Sequence, residues 1–213
     1  MGSSEKIEKK EHIMEVAERL FSELGYDGAS TRAIAQEAKV NMAMLNYYFG
    51  SKEGLFKAII ARRLDSSKDQ IEDLLAKPIS SWEKFEYIIE WYSERILSNS
   101  CFQRIIQREI TLNQRSEISG FVLDSLLHNA RLIHKVITDG MESGEFRQVD
   151  SAFIMATLFG TKNYLVVSQH MASALLDKDL SDQNVLENEI RPRAKAYLRD
   201  LFKTYLLAHD SSK

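Results

Sequence analysis

Cysteine, proline and glycine are all scarce in this chain, at one, two and nine residues among 213. The lone Cys101 excludes an internal disulfide and any cysteine-built metal site, and it fits a reducing cytosol. With only Pro78 and Pro192, almost the whole length is free of the residue that breaks helices. The few glycines add to that, and the composition points to an all-α fold. No apolar run approaches the ~18 residues of a membrane span; the longest, residues 152–159, has the length of a buried helix segment. Residues 1–12 are charged and carry no apolar run, which a secretory signal requires. A cytoplasmic protein is expected.

Net positive charge is lacking as well. The formal charge is −3, and residues 1–63 hold ten Lys and Arg against nine Asp and Glu. Bulk attraction to a polyanion is therefore excluded, and any nucleic-acid contact must come from locally placed groups and helix N-termini. There is no glycine-rich phosphate loop, nucleophile elbow or zinc spacing. The five histidines, at 12, 128, 134, 170 and 209, show no metal-ligand pattern. No catalytic residue, metal or cofactor is expected, and the chain is not read as an enzyme. What is present, 44% hydrophobic and 28% charged residues, describes a globular chain long enough for one large domain or two modest ones.

Helical periodicity runs nearly throughout. Ile13, Val16, Ala17, Leu20, Phe21 and Leu24 mark one buried face of a first helix over residues 7–24, ended by Gly25. Ser30 or Thr31 caps a second, short helix with Ile34, Ala35 and Ala38 inward. A turn at residues 39–41 follows, then a third helix over 42–49, stopped by Gly50. Ser51 caps a fourth that reaches about Leu75, with Glu53 in its first turn. Beyond the Lys77-Pro78 boundary the spacing predicts helices over 82–97, 102–112, 118–141, 151–176 and 189–207. Phe146 is expected to pack back after a turn at 143–145, and residues 177–188 read as a loop. Pro192 is tolerated in the first turn of the last helix. About nine helices result, with no strand signal.

The stretch 30–55 carries the chemistry. A helix-turn-helix needs a short second helix able to enter a major groove about 12 Å wide, with donors beside it for phosphates. Leu45 and Phe49 are spaced to face the scaffold, which leaves Asn41, Met42, Ala43, Met44, Asn46 and Tyr47 towards the groove or its walls. Asn46 suits an adenine edge, and Met42, Ala43 and Met44 suit thymine methyls. Tyr48, Lys52 and the hydroxyls of Ser30 and Thr31 suit phosphate oxygens. Consecutive aromatics at 47–49 cannot all face one core on so short a helix.

Thr31-x-x-Ile34-Ala35-x-x-Ala38-x-Val40-Asn41, followed by Leu45-Asn46-Tyr47-Tyr48-Phe49-Gly50-Ser51-Lys52-Glu53-Gly54-Leu55, closely resembles the N-terminal signature of the TetR/AcrR family of bacterial transcriptional regulators. The resemblance covers about residues 10–60. It implies phosphate contacts from Thr31, Tyr48 and Lys52, with Asn41, Met42, Asn46 and Tyr47 in or beside the groove. At Ala43 and Met44 the chain departs from the glycine and hydroxyl residue common there, so an apolar contact is expected from position 44. The implied division is a helix-turn-helix DNA-binding domain over 1–55 and a helical ligand-binding and dimerisation domain over 56–213. The implied function is a regulator, repressor in type, that binds a near-palindromic operator as a homodimer and is released by a small, largely apolar ligand.

The second half supports this by its own pattern. The last helix carries Ala194, Tyr197, Leu198, Leu201, Phe202, Tyr205 and Leu206, a wide stripe, and residues 151–176 are apolar around much of their circumference. Both are candidate homodimer surfaces, because one two-turn reading helix gives few contacts. For the effector pocket the candidates are Ile88, Trp91, Tyr92, Phe102, Ile106, Phe121, His134, Met155, Phe159, Asn163 and Tyr164, with Tyr87 and Ile105 beside them. Bulky apolar groups with isolated polar ones suit a concave small-molecule site. The alternative is an all-α small-molecule binding or interaction protein without operator-specific DNA binding.

Overall fold

The computed structural model describes residues 3–98, 100–112 and 116–207. Among them no strand forms; one antiparallel bridge joins Phe146 to Leu207. The chain divides into two compact units, Met1–Ser66 with Cys101–Leu126, and Ser67–Ser100 with Leu127–Lys213.

In the first unit, α1 (Ser3–Gly28) buries Ile13, Ala17 and Phe21 completely. Its regular path breaks at Gly25, whose φ of 75° and ψ of 171° suit a residue without Cβ. A Cβ there would lie 2.6 Å from Nη1 of Arg108. Arg108 belongs to α6 (Ser100–Leu112), and one turn earlier Arg104 Nε donates to Ser22 Oγ at 3.0 Å. The end of α1 is closed by a trio of rings, Phe21, Tyr26 and Phe56, with centroids 5.2–5.6 Å apart. Such aromatic pairs add to the area they bury.

α2 (Thr31–Glu37) opens on Ser30, whose Oγ accepts from Ala33 N at 3.0 Å. It ends through Lys39 at φ 55°, with Val40 N donating to Ala35 O at 2.9 Å. That left-handed position normally belongs to glycine, and a side chain there costs about 1–2 kcal/mol. Lys39→Gly is expected to raise stability by about 0.5–1 kcal/mol after the entropy of the freer unfolded chain is offset. The check is a urea midpoint that moves up at constant slope.

α3 (Met42–Phe49) and α4 (Lys52–Leu75) follow. Leu45, Ile34 and Ala35 meet Leu55, Phe56, Ile59 and Ile60 in one core, to which Ile105, Ile106, Ile118 and Val122 also belong. Beside it lies a charge network that periodicity does not reveal. Glu18 is buried on α1 and accepts from Arg63 Nε at 3.1 Å and Nη2 at 3.0 Å, and from Arg62 Nη2 at 3.1 Å. Arg62 Nη1 also reaches Glu11 at 2.5 Å.

The second unit is built around α5 (Ser81–Ser98), which starts with a capping box: Ser80 N donates to Glu83, and Glu83 N to Ser80 Oγ. Those bonds hold the Glu83 carboxyl below its usual range. The Glu145 carboxylate takes the next amides, Ser81 N at 2.7 Å and Trp82 N at 3.0 Å. Its core joins Phe85, Ile88 and Tyr92 to Ile133, Val136 and Ile137 of α7 (Ser116–Glu142), and to Ile154, Met155, Leu158, Leu198 and Phe202. Phe146 does pack back, buried after the turn, as expected.

Two boundaries differ from the sequence expectation. The helix expected over 151–176 is broken at Ser168 into α8 (Ser151–Val167) and α9 (Gln169–Leu176). Thr157 and Thr161 turn their hydroxyls onto carbonyls four residues back, which loosens a helix. The break lets Ala172 pack with Leu165, Leu180 and Ile190 in a small core of their own. The expected loop 177–188 regains helix at α10 (Gln183–Val185), capped by Asp182 Oδ1 on Asn184 N at 2.8 Å. A π-helical turn, Leu186–Ile190, then leads into α11 (Arg191–Leu206). Pro192 would strike the carbonyl of residue 188 in a regular helix, and the wider turn relieves that clash.

Candidate nucleic-acid interface

Three local devices set α3. Asn41 caps α3, with Oδ1 accepting from Met44 N at 2.7 Å. Leu45, fully buried, anchors its inner side, and Tyr48 and Phe49 pack half-buried against the same core. Gly50, at φ 71°, ends it. Of the remaining side chains Met42, Ala43 and Asn46 are exposed, Tyr47 is 72% exposed, and Met44, expected towards the groove, is half-buried. The consecutive aromatics thus divide, one outward and two against the core.

Around that face, the expected phosphate ligands occupy different situations. Ser30 is exposed but serves as the α2 cap, and Thr31, half-buried, begins the helix. Asn41 likewise commits its carbonyl oxygen to capping. Lys52 Nζ donates to Asp27 O at 3.4 Å and lies 4.5 Å from the centroid of the Tyr26 ring. A cleft of about 420 Å³ opens beside α3, lined by Asn41, Ala43, Met44, Tyr47 and Tyr48 on one side and by Lys6 and Lys9 of α1 on the other. The two lysines were missed from sequence. Their signal was a pair three residues apart, ahead of Ile13, the first buried apolar residue of α1.

The effector candidates do not form one group. Ile88, Tyr92 and Met155 lie in the core of the second unit, with Trp91 and Phe159 packed against it. Tyr92 and Phe159 are 5.5 Å apart, Lys162 Nζ stands 4.9 Å from the centroid of the Tyr92 ring, and burial pushes the Tyr92 hydroxyl pKa up. Asn163 Oδ1 and Ser93 Oγ are buried without a hydrogen-bond partner. Phe102, Ile106 and Phe121 belong instead with the core of the first unit, and Tyr164 with the small core around Leu165. His134 is exposed on α7. Ile88 and Trp91 also line a cleft of about 290 Å³ with Gln70, Ile71, Asp73, Leu74, Lys77 and Tyr87. Trp91 Nε1 donates to Gln70 Oε1 at its edge.

Among the described residues, no three His, Cys, Asp or Glu side chains are grouped to hold a metal ion, and no helix is long and apolar enough to cross a membrane. Cys101 is half-buried, with Arg104 Nη2 3.5 Å from its sulfur.

Among the comparisons with known proteins, one falls on this head. The profile of the family described as bacterial regulatory proteins, tetR family, matches residues 13–59. YttP of Bacillus subtilis, described as a probable HTH-type transcriptional regulator, is 29% identical over 144 residues, 66% of this chain and 66% of that one. The chain thus spans just under two thirds of that relative's length. NicS of Pseudomonas putida, an HTH-type transcriptional repressor, is 26% identical over 188 residues, covering 82% of this chain and 83% of that one. The solved fatty acid degradation regulator FadR from Bacillus halodurans matches with a TM-score of 0.69 at 20% identity, over 93% of this chain and 96% of that one. That likeness speaks for the fold. Residues 13–59 are thus similar to the tetR family of bacterial regulatory proteins, and regulators carrying that head are the relatives the rest of the chain resembles.

Proposed function

We propose that the chain is a homodimeric transcriptional repressor whose two α3 helices enter successive major grooves of a near-palindromic operator. The observation that carries this reading is the outward face of α3. Met42, Ala43, Asn46 and Tyr47 are exposed on a helix whose other side, at Leu45, is fully buried. A two-turn helix that keeps a 72%-exposed tyrosine beside an asparagine presents apolar surface and amide chemistry to a partner. Residues 1–55 form the reading head in this scheme, and residues 56–213 hold the effector and the dimer contact.

Pairing is supported by apolar side chains left on the surface of the second unit. On α8 and α9 these are Phe153, Val167, Met171 and Leu175, the first and last at 73% and 74% exposure. Tyr197 and Tyr205 do the same on α11. A two-fold contact through those helices supplies the second head that operator specificity needs. An effector is supported by the orphaned Asn163 Oδ1 and Ser93 Oγ, carried by the same two helices that bring Tyr92 and Phe159 within 5.5 Å, since a buried polar atom without a partner is costly until something pairs it. That ligand must prefer the DNA-incompetent arrangement; equal affinity for both shifts nothing.

Footprinting on the gene's own upstream region tests the proposal. A protected, two-fold-related site whose affinity falls steeply with salt is the expected result. If no selective, salt-sensitive complex forms at any site, the chain is a helical binding protein and the repressor reading is wrong. Asn46→Ala is expected to cost about 1–3 kcal/mol and to relax preference at one base position. A loss uniform across operator variants removes Asn46 from base reading.

A further inference from the structure

We infer that the cleft between the first turns of α1 and the reading helix α3 holds one sugar–phosphate strand of the bound duplex, with Lys6 and Lys9 as its phosphate contacts. The inference rests on the DNA-binding reading above and deepens it. Two features of the cleft match that occupant. The residues lining it from α3 are apolar or aromatic, Ala43, Met44, Tyr47 and Tyr48, beside Asn41 at its cap, and those lining it from α1 are cationic, Lys6 and Lys9. A backbone strand at the edge of a major groove presents the same pairing, with weakly polar sugar faces flanked by anionic oxygens. Because Ala43, Met44 and Tyr47 also belong to the face offered to the groove, a strand in the cleft lies beside the bases that face would read.

The lysines are already held near that position. Lys6 Nζ stands 5.9 Å from the centroid of the Tyr47 ring, an attraction that keeps the ammonium over the cleft without consuming its three donors. Lys9 Nζ is 2.7 Å from Glu5, but both side chains are more than a third exposed. Pairs of that kind add little to stability, so exchange of the carboxylate for a phosphate meets small resistance. Glu11, further along α1, is taken up by Arg62. Two placed cations also answer how a head with almost no net charge holds a polyanion. The affinity comes from position, through counterion release at each neutralised phosphate.

The test is the salt dependence of binding to a labelled random-sequence duplex and to the selected operator, by fluorescence anisotropy between about 50 and 200 mM salt. Lys6→Ala and Lys9→Ala are each expected to lower the log–log slope by about 0.9, which across that range is about a 3.5-fold smaller loss of affinity. The reduction should be the same on both duplexes, and Lys6→Arg should restore the slope. Thermal melts of the variants should match the parent. Unchanged slopes in both alanine variants overturn the assignment, as does a change confined to the operator duplex, which signals base reading. Absence of any salt-dependent complex with the parent protein brings down the DNA reading itself, so the two failures are told apart.

Discussion

Gly54→Ala is expected to abolish the sequence-selective DNA complex and to lower stability by at least 1–3 kcal/mol, the range of core overpacking. A Cβ at position 54 would fall 2.1 Å from the carbonyl oxygen of Phe49 and 3.3 Å from its carbon. The obstacle is backbone, and it is held from several directions. Ser51 N donates to that same oxygen at 2.8 Å, Ser51 Oγ accepts from Gly54 N at 2.9 Å, and Leu55 N reaches Ser51 O at 3.0 Å. A methyl group can enter only if the last turn of α3 retreats from the first turn of α4 by roughly an ångström, the gap to ordinary contact. That retreat tilts the reading face about Leu45, so binding should suffer more than folding. The check pairs a urea titration with the footprint. An unchanged midpoint together with an intact footprint would show that the corner is softer than its hydrogen bonds imply.

This corner also shows which features were legible in the sequence. Caps and stops are written in single residues a few positions apart, so Ser30, Gly50 and Ser51 announce the short helices at 31–37 and 42–49 directly, whereas Asn41, read from sequence as a groove residue, caps α3. Long-range placement is not written that way. The spacing of Phe102, Ile105 and Ile106 says that α6 buries a face, but nothing in it says against what. Those residues pack with the reading head's core, away from Tyr92 and Met155, with which sequence reasoning grouped them. The π-helical turn escaped notice because it straddles the expected boundary, with Leu186 among acids and amides that read as loop and Ile190 already inside the helix expected from 189. Lys6 and Lys9 became meaningful only once α3 was seen to lie across a cleft from them.

Glu18 is the least legible of the residues that matter, one glutamate among several on α1, and Glu18→Ala carries the other large effect. Removing one member of a buried ion pair typically costs about 3–5 kcal/mol. Here the arginine side chains are 23% and 38% exposed against 5% for Glu18, so the freed guanidinium groups recover part of their hydration. The expected loss is accordingly nearer 2–3 kcal/mol. The geometry also predicts an asymmetry. Arg63→Ala leaves Glu18 with the bond from Arg62 at 3.1 Å, whereas Glu18→Ala removes the one carboxylate on which both arginines converge. Arg63→Ala should therefore cost less, and the double variant should cost less than the sum of the two. Since Glu18 is shielded from water, high salt should change these differences little. Urea unfolding of the two single variants and the double, at low and high salt, reads all three expectations. A loss from Arg63→Ala equal to or above that from Glu18→Ala would show that the network is held together by the packing of the arginine stems against α1, with the carboxylate incidental.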